Sequence, residues 1–229
     1  METLDNFQDY TAKALENFAA RDERQRHSLF ESIKGRSITR VLDVGCGAGQ
    51  DLLSFLEKTD ATCVGVDISP EIGIGAKALF ENDGRMMFVQ SEGELLPFAN
   101  ESFDVILCRV ALPYMNNRDT ISEVARVLKP DGAFLLKTHA PLFYFGMIRE
   151  RLRSLNPKML IYPLLYLAAS FWHVITGKQL RNGIWRGKEV FQTRSFLERE
   201  FERNGLRIEG PSPNSSRQTP SYLVVKMVL

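Results

Sequence analysis

The stretch VLDVGCGAGQD, Val41 to Asp51, places three glycines within five positions directly behind an apolar run that reads as a strand. A loop that leaves a strand and opens a helix offers unpaired backbone N–H groups and the positive end of a helix dipole to whatever binds there. Glycine at such a place lets a ligand touch the main chain. The spacing is Gly45-x-Gly47-x-Gly49, and Gln50 stands where the third glycine of a GxGxxG dinucleotide fingerprint belongs, which counts against NAD. The Lys-Ser/Thr ending of a triphosphate-binding P-loop is missing as well. A tight turn with a purely structural purpose is the competing reading.

On either side of this loop, short apolar runs alternate with helical patterns. Runs fall at 40–44, 62–68 (TCVGVDI), 86–90 (MMFVQ), 102–110 (SFDVILCRV) and 132–138 (GAFLLKT), with helices expected over about 50–58, Pro70 to Asn82 and Asn117 to Leu128. This alternation predicts an α/β fold: a Rossmann-like doubly wound sheet, mostly parallel, with helices on both faces. Thr193 or Ser195 is placed to cap a late helix that stops at Asn204 and Gly205. Two strands, about 206–209 and 221–228, follow it with no room for a crossover helix, so the sheet is expected to end on an antiparallel edge. Before the first strand, apolar positions from Ala12 to Ile33 recur at roughly helical spacing, predicting an N-terminal helical cover over about 1–37.

Asp67 closes the second apolar run, where a carboxylate can accept both hydroxyls of a ribose. Capping the next helix is the alternative, although Ser69 is better placed for that. Loop and acid together imply a nucleoside carrying something other than a pyrophosphate.

Composition narrows the partners. The 229 residues are 44% hydrophobic, enough for one domain over 1–229, and 29 Lys and Arg nearly cancel 28 Asp and Glu, so no nucleic acid or other polyanion is called for. Cys46, Cys63 and Cys108 lie in or beside apolar segments and read as reduced core thiols of a cytoplasmic protein. The opening METLDNFQDY lacks the order of a secretory signal.

VLDVGCGAGQD, GVDIS, VQSEGELLPFANESFDVILCRVAL and EVARVLKPDGAFLLKT, taken in order, resemble the successive motifs of class I S-adenosylmethionine-dependent methyltransferases. The small-molecule enzymes of the ubiquinone and menaquinone biosynthesis type are the most similar group, and the likeness runs over about residues 38–140. It implies S-adenosyl-L-methionine as cofactor. Gly45, Cys46, Gly47 and Gly49 would lie against its methionine part, with Asp43 orienting the amino group through the loop. Asp67 would hold the ribose and Ile68 would pack on the adenine. The family usually has an acid followed by alanine where this chain has Glu92 and Gly93, so Glu92 would accept from the exocyclic amine and the Gly93 N–H would face a ring nitrogen. Arg109 occupies a place where the family often has a small or polar residue; it stands among the cofactor-side candidates, with contact to the acceptor or a structural ion pair as competing readings. Phe7 or Tyr10 of the N-terminal helix would cover the cofactor, or simply pack.

Displacement at a sulfonium brings its own leaving group, so neither a metal nor a covalent nucleophile is needed, and positioning alone offers as much as about 7–11 kcal/mol. A general base, worth roughly 10²–10⁴ in rate, matters when the acceptor is a neutral hydroxyl. Among His27, His139 and His173 only His139 sits at the carboxyl end of an expected strand, where ligands of open α/β sheets bind. His139 and Tyr114, in ALPYMNN, are therefore the catalytic candidates, with a hydrogen-bonded structural imidazole and plain packing as the alternatives.

An apolar insertion at about 141–190 separates the fifth strand from the late helix, and Met159 to Gly177 contains no Asp, Glu, Lys or Arg. Its length approaches the ~20 residues that cross a bilayer. Pro163, the polar Tyr162, Ser170, His173 and Thr176, and the need for later strands to return to the sheet favour a cap over the acceptor instead. A homodimer face or peripheral membrane contact through 159–177 stays open, the latter permitted by Arg149, Arg151, Arg153, Lys158, Lys178 and Arg181. The expected activity is methyl transfer from S-adenosylmethionine to a small apolar or aromatic acceptor, on oxygen. The alternatives are a non-catalytic binding or scaffold protein of the same fold, and methylation of a sugar or lipid-linked acceptor at a membrane surface.

Overall fold

The structure, a computed structural model, describes residues 16, 20, 22–69, 72, 83–153, 161–180, 183–185 and 189–228. Seven strands form one sheet: β1 (Arg40–Val44), β2 (Thr62–Asp67), β3 (Met86–Gln90), β4 (Phe103–Arg109), β5 (Leu128–Lys137), β6 (Leu206–Pro211) and β7 (Ser221–Lys226). Their spatial order is β3-β2-β1-β4-β5-β7-β6. The first five are parallel, whereas β7 lies antiparallel between β5 and β6, giving the expected antiparallel edge.

Parity along the strands decides which face each residue serves. Leu42, Ile106 and Phe134 point into one core with Ile121 and Val124 of helix α2 (Asn117–Val127) and Phe201 of helix α5 (Arg194–Arg203). Val41, Val105, Leu107 and Leu135 point into the opposite core with Phe55 of helix α1 (Leu53–Lys58). Apolar residues at consecutive positions are thus what a sheet covered on both faces requires. Thr193 caps α5 by accepting from the Phe196 N–H at 3.2 Å, and Gly205 ends it at φ 68°.

β5 differs from expectation at its start. The sequence places the strand at 132–138, but pairing begins at Leu128 opposite Phe103, and Asp131 at φ 57° takes up the irregularity before regular register resumes at Ala133 opposite Val105. The first turn of the helix expected at 50–58 is tighter, a 3₁₀ turn over Gln50–Leu52 that leads into α1. The expected helix at 70–82 and the cover carrying Phe7 and Tyr10 lie outside the described residues, apart from Ile72 and from single helical turns at Glu23–Arg26 and Ser28–Glu31.

The insertion forms helices α3 (Pro141–Arg153) and α4 (Ile161–Thr176), which share a small core of Tyr144, Leu167 and Phe191. Gly177, at φ 69°, stops α4 and returns its N–H to the His173 carbonyl at 2.8 Å. Among the described residues, no helix is long and apolar enough to cross a membrane.

Candidate active site

Strand order reverses between β1 and β4, the switch point where a crevice opens at the carboxyl ends of an open α/β sheet. The glycine loop fills one side of it. Gly45, Gly47 and Gly49 have φ of 73°, 54° and 75°, the left-handed region in which a side chain is strained. At Gly45 there is no space either, since a Cβ would come 2.2 Å from the Ala111 Cβ. The Gly45 and Cys46 N–H groups both donate to the Val66 carbonyl, at 2.8 and 3.0 Å. Asp67 has a role that its position in the sequence did not suggest: Oδ2 accepts from the Gly47 N–H at 2.9 Å while Oδ1 accepts from the Ser69 N–H at 3.0 Å. It therefore clamps the loop, and each oxygen keeps a second lone pair for a ligand.

Beneath the loop lie three charged groups. Arg109 Nε pairs with Asp51 Oδ2 at 3.1 Å in a buried ion pair, the structural reading of that residue. Arg109 Nη1 is buried with no partner among the described residues. Asp43 is buried beside this pair, and no hydrogen bond from a described residue reaches its carboxyl. Burial, and after it the Asp51 charge, push the Asp43 pKa well above the usual carboxylate range, with Arg109 pulling the other way. Burial likewise raises the pKa of the Cys46 thiol, so this residue is a small neutral packing group and no nucleophile.

The adenine-side candidates gather at the ends of β2 and β3. Ile68 is 67% exposed, an apolar side chain left open at the rim. Gln90 fixes the main chain there by donating from Nε2 to the Ile68 carbonyl at 3.1 Å. Glu92 is exposed and Gly93 buried, and a Cβ on Gly93 would stand 2.7 Å from Met115 Sδ. Met115 also lies 3.1 Å from the place of a Gly45 Cβ, so one flexible thioether packs against both glycine sites. Val110, directly after β4, has φ 67°, an outlier for a β-branched residue that costs of order 1–3 kcal/mol and directs Ala111 onto Gly45.

At the end of β5, His139 is buried and bonded through Nδ1 to Glu189 Oε2 at 2.9 Å. Its ring stacks on Phe143, with centroids 3.8 Å apart and planes 7° from parallel. Nε2 makes no hydrogen bond to a described residue. Tyr144 packs edge-on against His139 at 6.0 Å, and burial, then the Glu189 charge, raise the pKa of its phenol. Tyr114 is half exposed in the turn that follows β4, near enough to Tyr144 for their charges to interact. Glu189, 50 residues from His139, had no signal in the sequence.

The methyltransferase domain family matches residues 42–136, the span from β1 through β5. Over those residues the chain is similar to a methyltransferase domain. An uncharacterised methyltransferase, YcgJ of Bacillus subtilis, is 40% identical over 114 residues, covering 48% of this chain and 45% of YcgJ. A fatty-acid O-methyltransferase of Mycolicibacterium smegmatis is 35% identical over 131 residues, covering 53% of this chain and 47% of that protein. The chain thus spans less than half the length of these curated relatives. A chain from the complex between the Haloferax volcanii Trm112 methyltransferase activator and a methyltransferase superposes over 98% of this chain and 97% of its own length, with a TM-score of 0.67 at 16% identity, a likeness of fold.

The cofactor of the methyltransferase domain is S-adenosyl-L-methionine. The residues present fit such a ligand. It carries a cationic ammonium and sulfonium, and the domain keeps a buried carboxyl with no hydrogen-bond partner among the described residues under a loop of bare main chain. A pyrophosphate would bring negative charge towards that same acid.

Proposed function

We propose that this chain transfers a methyl group from S-adenosylmethionine to the hydroxyl oxygen of a small apolar or aromatic acceptor, with His139 as general base. The observation that carries the reading is the His139–Glu189 pair at the crevice end of β5. With Glu189 accepting from Nδ1–H, the tautomer is fixed and Nε2 is left as the proton acceptor. Stacking on Phe143 and the edge of Tyr144 hold the ring plane, so the base needs little reorganisation. On the cofactor side, Asp67 would hold the ribose while clamping the loop, Asp43 would answer the ammonium, Ile68 would cover the adenine, and Glu92 and Gly93 would meet its edge. Arg109 serves that side indirectly, by holding Asp51 beside Asp43.

Support for an apolar acceptor comes from the aromatic residues Phe143, Tyr144 and Phe191 behind His139, and from the relative whose name gives fatty acids as its substrate. A carboxylate acceptor is already ionised at pH 7 and has no proton to surrender; a phenol or alcohol has one. The base therefore argues for a hydroxyl. Formation of S-adenosylhomocysteine is to be followed with phenols, long-chain alcohols and fatty acids. His139→Ala and Glu189→Gln should lower kcat with a hydroxyl acceptor by roughly 10²–10⁴ and by less, respectively, while leaving S-adenosylhomocysteine affinity unchanged. Equal turnover by wild type and His139→Ala on a hydroxyl acceptor would remove His139 from the reaction.

A further inference from the structure

Helix α4 leaves an apolar stripe uncovered. Ile161, Leu164, Ala168, Phe171, Trp172 and Ile175 recur as i, i+3, i+7, i+10, i+11 and i+14, which is one stripe of a helix, and all six are exposed. Ile175 is 81% exposed. The opposite face turns its polar groups inward: Ser170 Oγ accepts from the Phe191 N–H at 3.0 Å, and His173 Nε2 lies 3.4 Å from Asn117 Nδ2. In water this arrangement exposes about 21 Å of apolar stripe, taking 1.5 Å per residue from Ile161 to Ile175. Helix α3, packed on α4, shows a second exposed row in Leu142, Phe145 and Leu152, with Arg149 among them.

Charge tells what covers this surface. From Arg151 to Lys188 the sequence holds seven of the 29 basic residues and none of the 28 acidic ones, so the rest of the chain carries a net −6. Glu189, the first acid past that run, is buried against His139 and adds nothing at the surface. Both tryptophans of the chain, Trp172 and Trp185, fall in the same run. A second copy of this chain would bring the same basic stretch of sequence against itself, while an acidic surface with an apolar interior suits an uncharged stripe that lies within a basic stretch carrying both tryptophans. We infer that the apolar face of α4 docks on a bilayer containing anionic lipid, lying in the interface without crossing it.

The inference does not depend on the proposed reaction, because membrane binding is read without turnover. The full chain is to be floated with vesicles of phosphatidylcholine alone and of phosphatidylcholine mixed with phosphatidylglycerol. Co-flotation with the anionic vesicles only, weakening with salt, is expected. Leu164→Glu with Ile175→Glu should lower the partition coefficient more than about tenfold, because both groups would have to enter the acyl boundary. These side chains point to solvent, and an unchanged thermal melt and S-adenosylhomocysteine affinity verify the fold of the variant. Quenching of wild-type fluorescence by bromine-labelled acyl chains, reduced in Trp172→Phe, gives a readout that needs no charge reversal. Absence of anionic vesicle binding, binding that survives the double substitution, or a dimer in sedimentation that the double substitution splits would each overturn the inference, the last by giving the face to a second copy.

Discussion

The sheet and the α3–α4 pair solve opposite problems with the same residue types. In β1, β4 and β5, apolar side chains go inward on both faces and leave the charge for strand ends and loops. In α4 a stripe of apolar side chains faces outward, while Ser170 and His173 lie inward beside Leu167 and Ala169, Ser170 accepting from the Phe191 N–H and His173 lying near Asn117. Burial of apolar area is non-directional and forgives substitution, whereas an inward hydroxyl or imidazole is worth keeping only while its partner stays in place. The difference teaches that hydrophobicity shows which surface leaves water, and that protein is one of several surfaces it can leave water for.

The hardest strike against the sheet side of the comparison is Gly45→Ala. Alanine at φ 73° costs about 1–2 kcal/mol, and a Cβ 2.2 Å from that of Ala111 adds overpacking of roughly 1–3 kcal/mol. Urea denaturation should therefore show a loss of roughly 2–5 kcal/mol, accompanied by loss of cofactor binding. Adding Ala111→Gly should restore the packing part and leave the dihedral part. A Gly45→Ala variant as stable as the wild type would mean that the loop does not press on the end of β4.

A smaller effect separates stability from function at Asp43. Its pKa is raised by burial, so between the ordinary carboxyl range and the raised native value the folded chain keeps a proton that the unfolded chain has released. Wild-type stability consequently falls as pH rises through that window and levels off above it. Asp43→Asn, with no proton to lose, should flatten this curve and be the more stable protein at its upper end. It should also bind S-adenosylhomocysteine more weakly by about 10–100-fold, the loss of a charge-assisted hydrogen bond of roughly 1.5–3 kcal/mol. Wild-type affinity should rise with pH over the same window, as the carboxyl ionises to meet the ammonium. Calorimetric titration across pH checks both, and parallel stability curves for the two proteins would take the raised pKa away from Asp43.

What the sequence made legible follows the range of the forces involved. Strands β1 to β4, the glycine loop and the Thr193 cap rest on neighbours within a few positions, where periodicity and turn chemistry act. The start of β5 was obscured because Lys129, Pro130, Asp131 and Gly132 carry turn residues inside a paired strand. Contacts between distant segments left no local trace: Asp51 with Arg109, Glu189 with His139, and Met115 between Gly45 and Gly93. The insertion was legible as containing an apolar, uncharged run at 159–177, but not as two helices with one apolar stripe left outside, because composition does not say which face turns inward.

The finest test weighs the two faces of α4 against each other. Ser170→Ala removes the acceptor of a buried Phe191 N–H and should cost about 1–3 kcal/mol, although it makes the helix more apolar and replaces serine by the best helix former. Ile175→Ser, five positions on, removes a large aliphatic side chain from the exposed stripe and should change stability by no more than about 0.5 kcal/mol. On an ordinary amphipathic helix the ranking would be reversed. Denaturation of both variants without lipid reads the difference directly: a larger loss for Ile175→Ser would mean that the stripe already packs against protein, leaving no apolar face to dock elsewhere.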